Sequence, residues 1–495
     1  MKHQSKFIKP IVLIAGLIAS TLSGLNWNIG IATWIAPIFL LYYTKNTKWS
    51  AFIWFYLVMA LSASLSKTAE NLSGIFIIYL TTGIFHGIVN SLPYIIDKLI
   101  VKKTEGFYTT FVFPSAVVLI EFLLSLLLGI WGNASVSQYY NISLIQISSV
   151  FGIYGISFLI AWFASVINWI IKHNFETRII KRGLGIYALV FVSVIFYGQI
   201  RIAFFQPKSG TVKVSAIVSD VDIHKEFEKM GDEIIELSKD YKREIPDTVF
   251  SDSVDIESQI QKTGEALKNG AKIVVWNEIS LILKKSQKEM LIQEIKDLCL
   301  SNNAYVLIAF LEKNDSKLPK PFNNKSILIT PKGEIAWEYL KYYPTTLERL
   351  IINNGEKIIP CIDTEYGRFG NVICADLDIS NVIKQAAKNK IDILLVPAYD
   401  WGKITPYHSN MAAFAAIQYG FSIVRANGKG IAGFFNYQGN MISQVNTLIS
   451  DSKINYAEIP VKSTFTIYSK IGNAFVFLCI LFLLLAGVKN RRFSA

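Results

Sequence analysis

The sequence predicts a protein of two parts, a bundle of about eight membrane-crossing α-helices and an α/β domain of layered sheets with outer helices. Two features of the chain lead to this fold class. Of its 495 residues, 52% are hydrophobic and only 17% are charged, which excludes a disordered chain and is typical of a membrane protein. Charged residues and turn signals become frequent only between residues 210 and 463, which we therefore assign to a separate domain.

Apolar runs long enough, or nearly long enough, to cross a bilayer recur along the chain. They cover residues 8–24, 29–44, 51–66, 73–95, 109–131, 147–171, 183–204 and 470–488. Backbone groups in hydrocarbon must pair within their own segment, so these runs are predicted to be helices. The predicted domains are a seven-span bundle at 1–207, the α/β domain at 210–463 and a last transmembrane helix at 470–489.

Basic loops alternate with nearly uncharged loops along the bundle. Lysine and arginine cluster at the N-terminus, after the second, fourth and sixth spans, and in the C-terminal tail. The positive-inside rule therefore predicts that both termini are cytoplasmic and that the α/β domain lies outside the cytoplasm. The same placement accounts for much of the net charge of +12, so we expect no nucleic-acid partner.

Glu121 lies inside the fifth predicted span. An ionisable side chain facing lipid costs several kcal/mol, so Glu121 is expected to face the bundle or a cavity. The sequence leaves open whether it makes a structural hydrogen bond between helices or takes part in lipid access.

Strand and helix patterns alternate through the α/β domain. Strands are predicted at 212–218, 271–276, 304–311, 324–330, 334–341, 371–374, 391–397, 422–426 and 431–436, and helices at 258–268, 287–300, 380–388 and 409–419. The segment Pro331-Lys332-Gly333 is typical of a hairpin turn between two of the strands. This order indicates layered sheets covered by helices.

The cysteines and histidines show no metal-ligand pattern. The four cysteines, Cys299, Cys361, Cys374 and Cys479, match neither a zinc motif nor CxxC, so they are predicted to be free thiols. The five histidines, His3, His86, His173, His224 and His408, are scattered along the chain. We expect no metal site and no cofactor.

Three reactive side chains follow predicted strands: Glu278, Lys341 and Cys374. Each alone has an ordinary explanation, as a capping carboxylate, a solvated lysine or a buried thiol. A cysteine nucleophile needs a base and a group that holds the oxyanion. No histidine is placed in the sequence to act as base, but a carboxylate can do so when apolar surroundings raise its pKa. Lys341 and the backbone N–H of Ala375 are then the expected oxyanion partners.

The order Glu, Lys, Cys on successive strands resembles the carbon–nitrogen hydrolase (nitrilase) superfamily. The matching segments are AKIVVWNE, NNKSILITPKGEIAWEYLK, GRFGNVICADLD, IDILLVPAYDWG and SIVRANGKGIAGFFNYQGNMI. The segment WGNASVSQYYNISLIQISSVFGIYGISFLI and the arrangement of seven spans, one domain and a last span resemble the apolipoprotein N-acyltransferase family. Together these similarities cover nearly the whole chain.

The resemblance implies a nitrilase-like αββα sandwich in which Glu278 is the general base, Lys341 the stabiliser and Cys374 the thiol that becomes acylated. It also implies a membrane phospholipid as acyl donor and the N-terminal amine of a diacylglyceryl-cysteine lipoprotein as acceptor. The implied location is the bacterial cytoplasmic membrane, with the catalytic domain on its outer face.

The chain departs from the family pattern at several positions. Asn277 replaces the usual proline, and Gln418 replaces a late glutamate. Glu348 stands in for a second glutamate at a spacing one residue shorter, while Ala375 and Asp376 replace an aromatic residue and a glutamate. Glu348, Ala375 and Asp376 are expected to contact substrate.

These departures leave two alternatives open. One is a membrane-anchored carbon–nitrogen hydrolase (amidase) acting on a different amide or acyl acceptor. The other is a catalytically silent binding or scaffold protein.

Overall fold

A computed structural model of the chain describes residues 4–25, 27–66, 76–101, 106–205, 209–223, 225–226, 236–241, 245–314, 319–345 and 348–492. The start of the predicted span 73–95 and two of the scattered histidines, His3 and His224, lie outside these ranges. The chain divides into two compact units. The membrane unit comprises Met1–Gln206 with Thr466–Ala495, and the α/β unit comprises Pro207–Phe465.

The membrane unit is helical throughout its described length, apart from short connections. Its helices are Gln4–Ser23, Gly30–Asn46, Phe52–Ser66, Phe76–Val101, Val112–Leu128, Ile142–Ile145, Ser148–Phe151, Ile153–Lys172, Thr177–Phe204, Ile467–Ile471 and Ala474–Arg492. The predicted run 147–171 is interrupted at Gly152, whose φ of +66° ends one helix and starts the next. Glycine is suited to this left-handed conformation because it has no Cβ.

Five helical segments within the described ranges are long and apolar enough to cross a membrane: Trp49–Ser66, Leu80–Val101, Phe107–Leu128, Ile153–Lys172 and Thr177–Phe204. Shorter apolar helices occupy Phe7–Ser23, Ile142–Phe151 and Ala474–Lys489. The prediction of long apolar helices is confirmed for these five segments, and the count of about eight membrane-crossing helices stays a prediction.

Glu121 makes a contact within the membrane unit. Its Oε1 accepts a hydrogen bond from the backbone N–H of Ala134 at 2.9 Å. Of the two alternatives left by the sequence, this contact favours the structural one.

The α/β unit contains two sheets. Its strands are β1 Thr211–Ile217, β2 Ile273–Trp276, β3 Ile282–Leu283, β4 Tyr305–Lys313, β5 Phe322–Ile329, β6 Ile335–Leu340, β7 Cys361–Thr364, β8 Gly367–Asn371, β9 Ile393–Ala398, β10 Ser422–Asn427, β11 Ile431–Phe435, β12 Met441–Asn446 and β13 Ile454–Pro460. The first sheet has the order β13-β1-β2-β4-β5-β6, with β3 paired to β4, and the second has the order β12-β11-β10-β9-β8-β7.

The two sheets pack face to face, as the alternation along β2 illustrates. Ile273 and Val275 belong to the apolar core between the sheets, whereas Val274 and Trp276 belong to the core under the outer helices. Such alternation follows from the two-residue period of a strand. Helices Ser253–Lys268 and Lys285–Asn302 cover the first sheet, and helix Tyr407–Tyr419 packs on β10 and β11 of the second. The resulting αββα layering confirms the predicted nitrilase-like fold of this unit.

Strand ends bring the polar residues of the unit together. Strands β8, β9 and β10 are parallel, so their carboxyl ends lie at one edge of the second sheet. The predicted strand at 371–374 is wrong in its boundary, because β8 ends at Asn371 and Cys374 begins a short 3-10 helix, Cys374–Asp378. Cys374 therefore lies on a turn beyond the strand.

Candidate active site

A buried ion pair joins two of the predicted site residues. Lys341 Nζ donates to Oε1 of Glu278 at 2.6 Å, and the two side chains are 1% and 2% exposed. Lys341 also donates to both carboxylate oxygens of Glu348, at 2.9 and 2.8 Å. Because Glu348 is 16% exposed, it links the buried pair to the surface of the unit.

Backbone and amide hydrogen bonds position this pair. The hairpin of β5 and β6 ends with the Lys341 N–H donating to the carbonyl of Asn324, and Asn324 Nδ2 donates to Glu278 Oε1 at 2.7 Å. The backbone N–H of Glu278 donates to Ala398 O at 3.2 Å, which ties the end of β2 to the end of β9 in the other sheet.

Three hydrogen bonds of Asn277 fix the backbone just before Glu278. Its backbone N–H donates to Ile217 O, its Oδ1 accepts from Ser219 N–H at 2.8 Å, and its Nδ2 donates to Glu278 O at 2.9 Å. The amide side chain and backbone N–H of Asn277 thus fix the segment that a proline occupies in the family pattern. Proline has no N–H and cannot make the first of these bonds.

Cys374 adopts a backbone conformation that non-glycine residues rarely take, with φ of +48°. Strain of this kind is often found where a side chain is held in place for function. Burial raises the pKa of Cys374, the Glu278 and Asp400 carboxylates raise it further, and Lys341 and Arg425 lower it. The net shift is well upward, so the resting residue is a thiol.

Asp376 anchors the turn that carries Cys374. The hydroxyl of Tyr339 donates to Oδ2 of Asp376 at 2.8 Å, and the backbone N–H of Ile373 donates to the same oxygen at 3.2 Å. The other oxygen accepts from the N–H of Tyr343 at 2.7 Å. Burial raises the pKa of Asp376 to about 6. These contacts all lie within the protein and connect the turn to the segment after Lys341.

A second buried ionic cluster lies beside Cys374, and sequence reasoning missed it. His408 Nδ1 bonds Asp400 Oδ1 at 2.6 Å and His408 Nε2 bonds Asp378 Oδ2 at 3.0 Å. Arg425 Nη2 donates to Asp400 Oδ1 at 3.0 Å. The prediction that His408 is isolated from other possible metal ligands was wrong. The Cys374 Sγ, a carboxylate oxygen of Asp400 and a ring nitrogen of His408 all lie within 4.8 Å of one another.

The charge of His408 decides what it can do. Burial lowers its pKa, but the carboxylates of Asp400 and Asp378 outweigh burial and raise the pKa to about 9. His408 is therefore protonated at neutral pH, and both ring nitrogens donate to carboxylates. It has no lone pair to accept the thiol proton, so it is unsuited to the role of base. The positive charges of His408 and Arg425 also oppose a metal ion at this cluster.

Glu278 has the features expected of a base. Burial raises its pKa, Lys341 lowers it, and the Glu348 charge raises it again, with a net upward shift. Burial also opposes the charge of Lys341, but the Glu278 and Glu348 carboxylates outweigh burial and hold the Lys341 pKa well above its usual range. The arrangement offers an uncharged thiol, a carboxylate of raised basicity and a fixed ammonium group.

The sequence contained weak signals for the residues that were missed. Arg425 is a charged residue that follows two apolar residues within a predicted strand, and it is 1% exposed. Charged residues are almost never fully buried unless they are paired. Asp400 follows a predicted strand, as Glu278 and Cys374 do. No local signal indicated that His408 would reach Cys374.

Comparisons with known proteins match both parts of the chain. A family model described as carbon-nitrogen hydrolase matches residues 223–467, and one described as the apolipoprotein N-acyltransferase N-terminal domain matches residues 15–166. The chain is 24% identical to "Apolipoprotein N-acyltransferase 1" of Treponema denticola over 91% of this chain and 89% of that protein. It is 23% identical to "Apolipoprotein N-acyltransferase" of Geobacter metallireducens over 71% of this chain and 68% of that protein.

A solved structure is also similar to the chain. It is an amidase from Nesterenkonia sp., which is 12% identical, has a TM-score of 0.42, and covers 55% of this chain and 97% of its own.

The two-sheet αββα unit and the segment matched at 223–467 place the chain in the class of proteins with a carbon–nitrogen hydrolase domain. The second matched segment, at 15–166 in the membrane unit, matches the N-terminal domain of apolipoprotein N-acyltransferases, so it narrows this class to membrane proteins of that type. The two matches, with a relative aligned over 91% of the chain, support an acyltransferase of the apolipoprotein N-acyltransferase type.

Proposed function

We propose that this chain is an integral membrane N-acyltransferase that moves a phospholipid acyl chain through a Cys374 thioester to the N-terminal amine of diacylglyceryl-cysteine lipoproteins. The observation that supports it most is the buried Glu278–Lys341 pair, whose charges act on the thiol of Cys374. Similarity to apolipoprotein N-acyltransferases over most of the chain supports the choice of reaction.

In the first step, Cys374 Sγ attacks the carbonyl carbon of the phospholipid ester while Glu278 takes the thiol proton. Because the resting thiol is uncharged, proton removal accompanies attack, as general-base catalysis requires. The negative charge on the carbonyl oxygen is held by Lys341 Nζ and the backbone N–H of Ala375. The ester C–O bond then breaks, Glu278 returns the proton to the leaving oxygen, and a lysophospholipid departs.

In the second step, the neutral α-amine of the lipoprotein attacks the thioester carbonyl. Glu278 accepts a proton from the amine, the C–S bond breaks, and the proton passes to Cys374 Sγ. The products are an amide and the original thiol, which makes the reaction a two-step exchange with a covalent intermediate. Glu348, at the exposed end of the ion-pair chain, is proposed to contact the substrate, as are Ala375 and Asp376.

The proposed setting is the bacterial cytoplasmic membrane. About eight helices cross it, with domains at 1–207, 210–463 and 470–489, both termini in the cytoplasm and the catalytic domain on the outer face. In this arrangement acyl chains avoid transfer through water, which costs about 0.8 kcal/mol per CH₂ group.

The proposal is tested by trapping the intermediate. The purified protein is incubated with phospholipid labelled in its acyl chain, and the protein is examined by mass spectrometry for a hydroxylamine-sensitive adduct on Cys374. Addition of a synthetic diacylglyceryl-cysteine peptide is then expected to discharge the adduct and yield an N-acylated peptide.

The chain supplies a matched control. Cys361 lies in the same unit and is exposed, whereas Cys374 is buried. Cys374→Ala is expected to abolish the adduct, and Cys361→Ala to leave it unchanged. A folded wild-type protein that forms no adduct would overturn the thioester mechanism. Release of free fatty acid without peptide acylation would instead favour the hydrolase alternative.

A further inference from the structure

The membrane unit contains a basic cavity that the acyl-transfer mechanism does not use. Its volume is about 790 Å³, within the range typical of small-molecule sites. Four lysines and one aspartate lie in its wall: Lys45, Lys48, Lys98, Lys172 and Asp97. The charged residues of the wall lie near the ends of helices Gly30–Asn46, Phe76–Val101 and Ile153–Lys172 and in the connection at residues 47–48.

The single acid does not cancel this charge. Asp97 is fully buried and lies 3.3 Å from Lys45 Nζ, so its charge is paired within the wall. Lys98 donates to the backbone carbonyls of Thr44 and Thr47, and its Nζ lies 5.4 Å from the ring centroid of Trp49. Four lysines against one aspartate among the lining residues give the wall a formal surplus of positive charge.

Two buried donors in the same wall lack a partner among the described residues. They are the hydroxyl of Ser165, which is 1% exposed, and Nε1 of Trp169, which is 8% exposed. A buried donor without a partner is destabilising. A ligand rich in acceptor oxygens would supply partners for both, while apolar residues of the wall, Val101 and Ile171, suit an adjoining hydrocarbon chain.

We propose that this cavity binds a phosphate group, presented either by an anionic phospholipid or by inorganic phosphate. Phosphate oxygens accept charge-assisted hydrogen bonds from lysine. Basic pockets between membrane helices on the cytoplasmic side bind anionic headgroups, and the positive-inside rule predicts the cytoplasm for this lysine-rich end. All the lining residues belong to the membrane unit, and the inference does not rest on the proposed catalytic mechanism.

The test measures binding to the full-length protein in a zwitterionic detergent. The lipid probe is an ether-linked phosphatidylglycerol, which has no acyl ester to transfer, and the comparison lipid is ether-linked phosphatidylcholine. Native mass spectrometry reports the number of lipids bound and their affinity. A parallel titration with sodium phosphate asks whether inorganic phosphate competes. Competition identifies a site that free phosphate also fills, and lack of competition identifies the lipid as the source.

Matched variants distinguish binding in the cavity from non-specific attraction to the basic surface of the protein. Lys48→Gln with Lys172→Gln is expected to weaken binding about tenfold or more, since each basic residue near an anionic surface contributes about 1 kcal/mol. Lys181→Gln with Arg182→Gln removes the same charge from exposed positions outside the cavity and is expected to leave affinity unchanged. Trp169→Phe keeps a ring but removes the donor and is expected to weaken binding several-fold. Equal affinity in the two double variants, or binding of neither probe, would overturn the proposal.

Discussion

Lys341 Nζ lies 2.6 Å from Oε1 of Glu278, and both side chains are almost completely buried. Each charge depends on the other, because a buried ion left without its partner is strongly destabilising. The pair therefore links the stability of the α/β unit to its proposed chemistry, and the two effects can be separated by substitution.

Glu278→Gln removes the proposed base while keeping nearly the same shape. We expect thioester formation to slow by about 10²- to 10⁴-fold, the usual contribution of a general base. Single-turnover labelling with acyl-labelled phospholipid measures the rate. Near-wild-type labelling by a folded Glu278→Gln protein would show that another group takes the thiol proton.

Lys341→Met leaves Glu278 buried without its cation. We expect a loss of about 3–5 kcal/mol in unfolding free energy, seen as a lower thermal unfolding midpoint. The double variant Lys341→Met with Glu278→Gln removes both charges and is expected to recover much of that stability without recovering activity. If the two substitutions are additive in stability, the ion pair is not energetically coupled.

Asn277→Pro restores the residue usual in the family but is expected to impair this protein. Proline cannot donate to Ile217 O, and it removes the side-chain bond to Ser219. Leaving these buried groups without partners costs about 1–3 kcal/mol each. The thermal unfolding midpoint and the rate of thioester formation should both be lower in Asn277→Pro than in the wild type. Asn277→Asp keeps the Oδ1 acceptor and should be less affected. A fully active and stable proline variant would contradict this role for Asn277.

The cluster of His408, Asp400 and Asp378 predicts a pH-dependent stability. The pKa of His408 is raised from 6.5 to about 9 in the folded protein, so the protonated ring favours folding. This contribution is fully present below about pH 6.5 and is lost as the pH rises through about 9. We therefore expect the difference in thermal midpoint between wild type and His408→Gln to be largest near neutral and acidic pH and to narrow on the alkaline side.

His408→Gln also separates a positioning role from a catalytic one. His408 is protonated and bonded through both nitrogens, so we propose that it positions other groups. Its loss should therefore lower the rate of thioester formation but leave the ionisation of the proposed base, Glu278, visible in the pH dependence. The pH–rate profile of the variant is expected to keep the acidic limb of the wild type. Disappearance of that limb would indicate that His408 is the base.

Much of this fold follows from local patterns. Apolar runs of sufficient length predict membrane helices because the bilayer offers no hydrogen-bond partners to the backbone. Alternation along the chain predicted the layered α/β unit, and the turn at Pro331-Lys332-Gly333 placed Lys341 at the end of a hairpin. The order of Glu278, Lys341 and Cys374 was sufficient to suggest a carboxylate base.

Other features depended on contacts between distant segments. Strand β13 was not predicted, and it completes the first sheet by pairing antiparallel with β1 from the other end of the unit. Cys374 was placed on a strand, whereas a positive φ turns it onto a short helix.

By itself, then, the sequence determined the two-part architecture and the three residues proposed for catalysis, because periodicity and strand ends are local properties. Only the tertiary structure decided that His408, Asp400 and Arg425 surround Cys374. Their meeting depends on which strands are neighbours and on how helix Tyr407–Tyr419 packs against β10. The carboxylates of Asp400 and Asp378 then keep His408 protonated against the effect of burial. This charge supports the proposed roles, positioning for His408 and general base for Glu278.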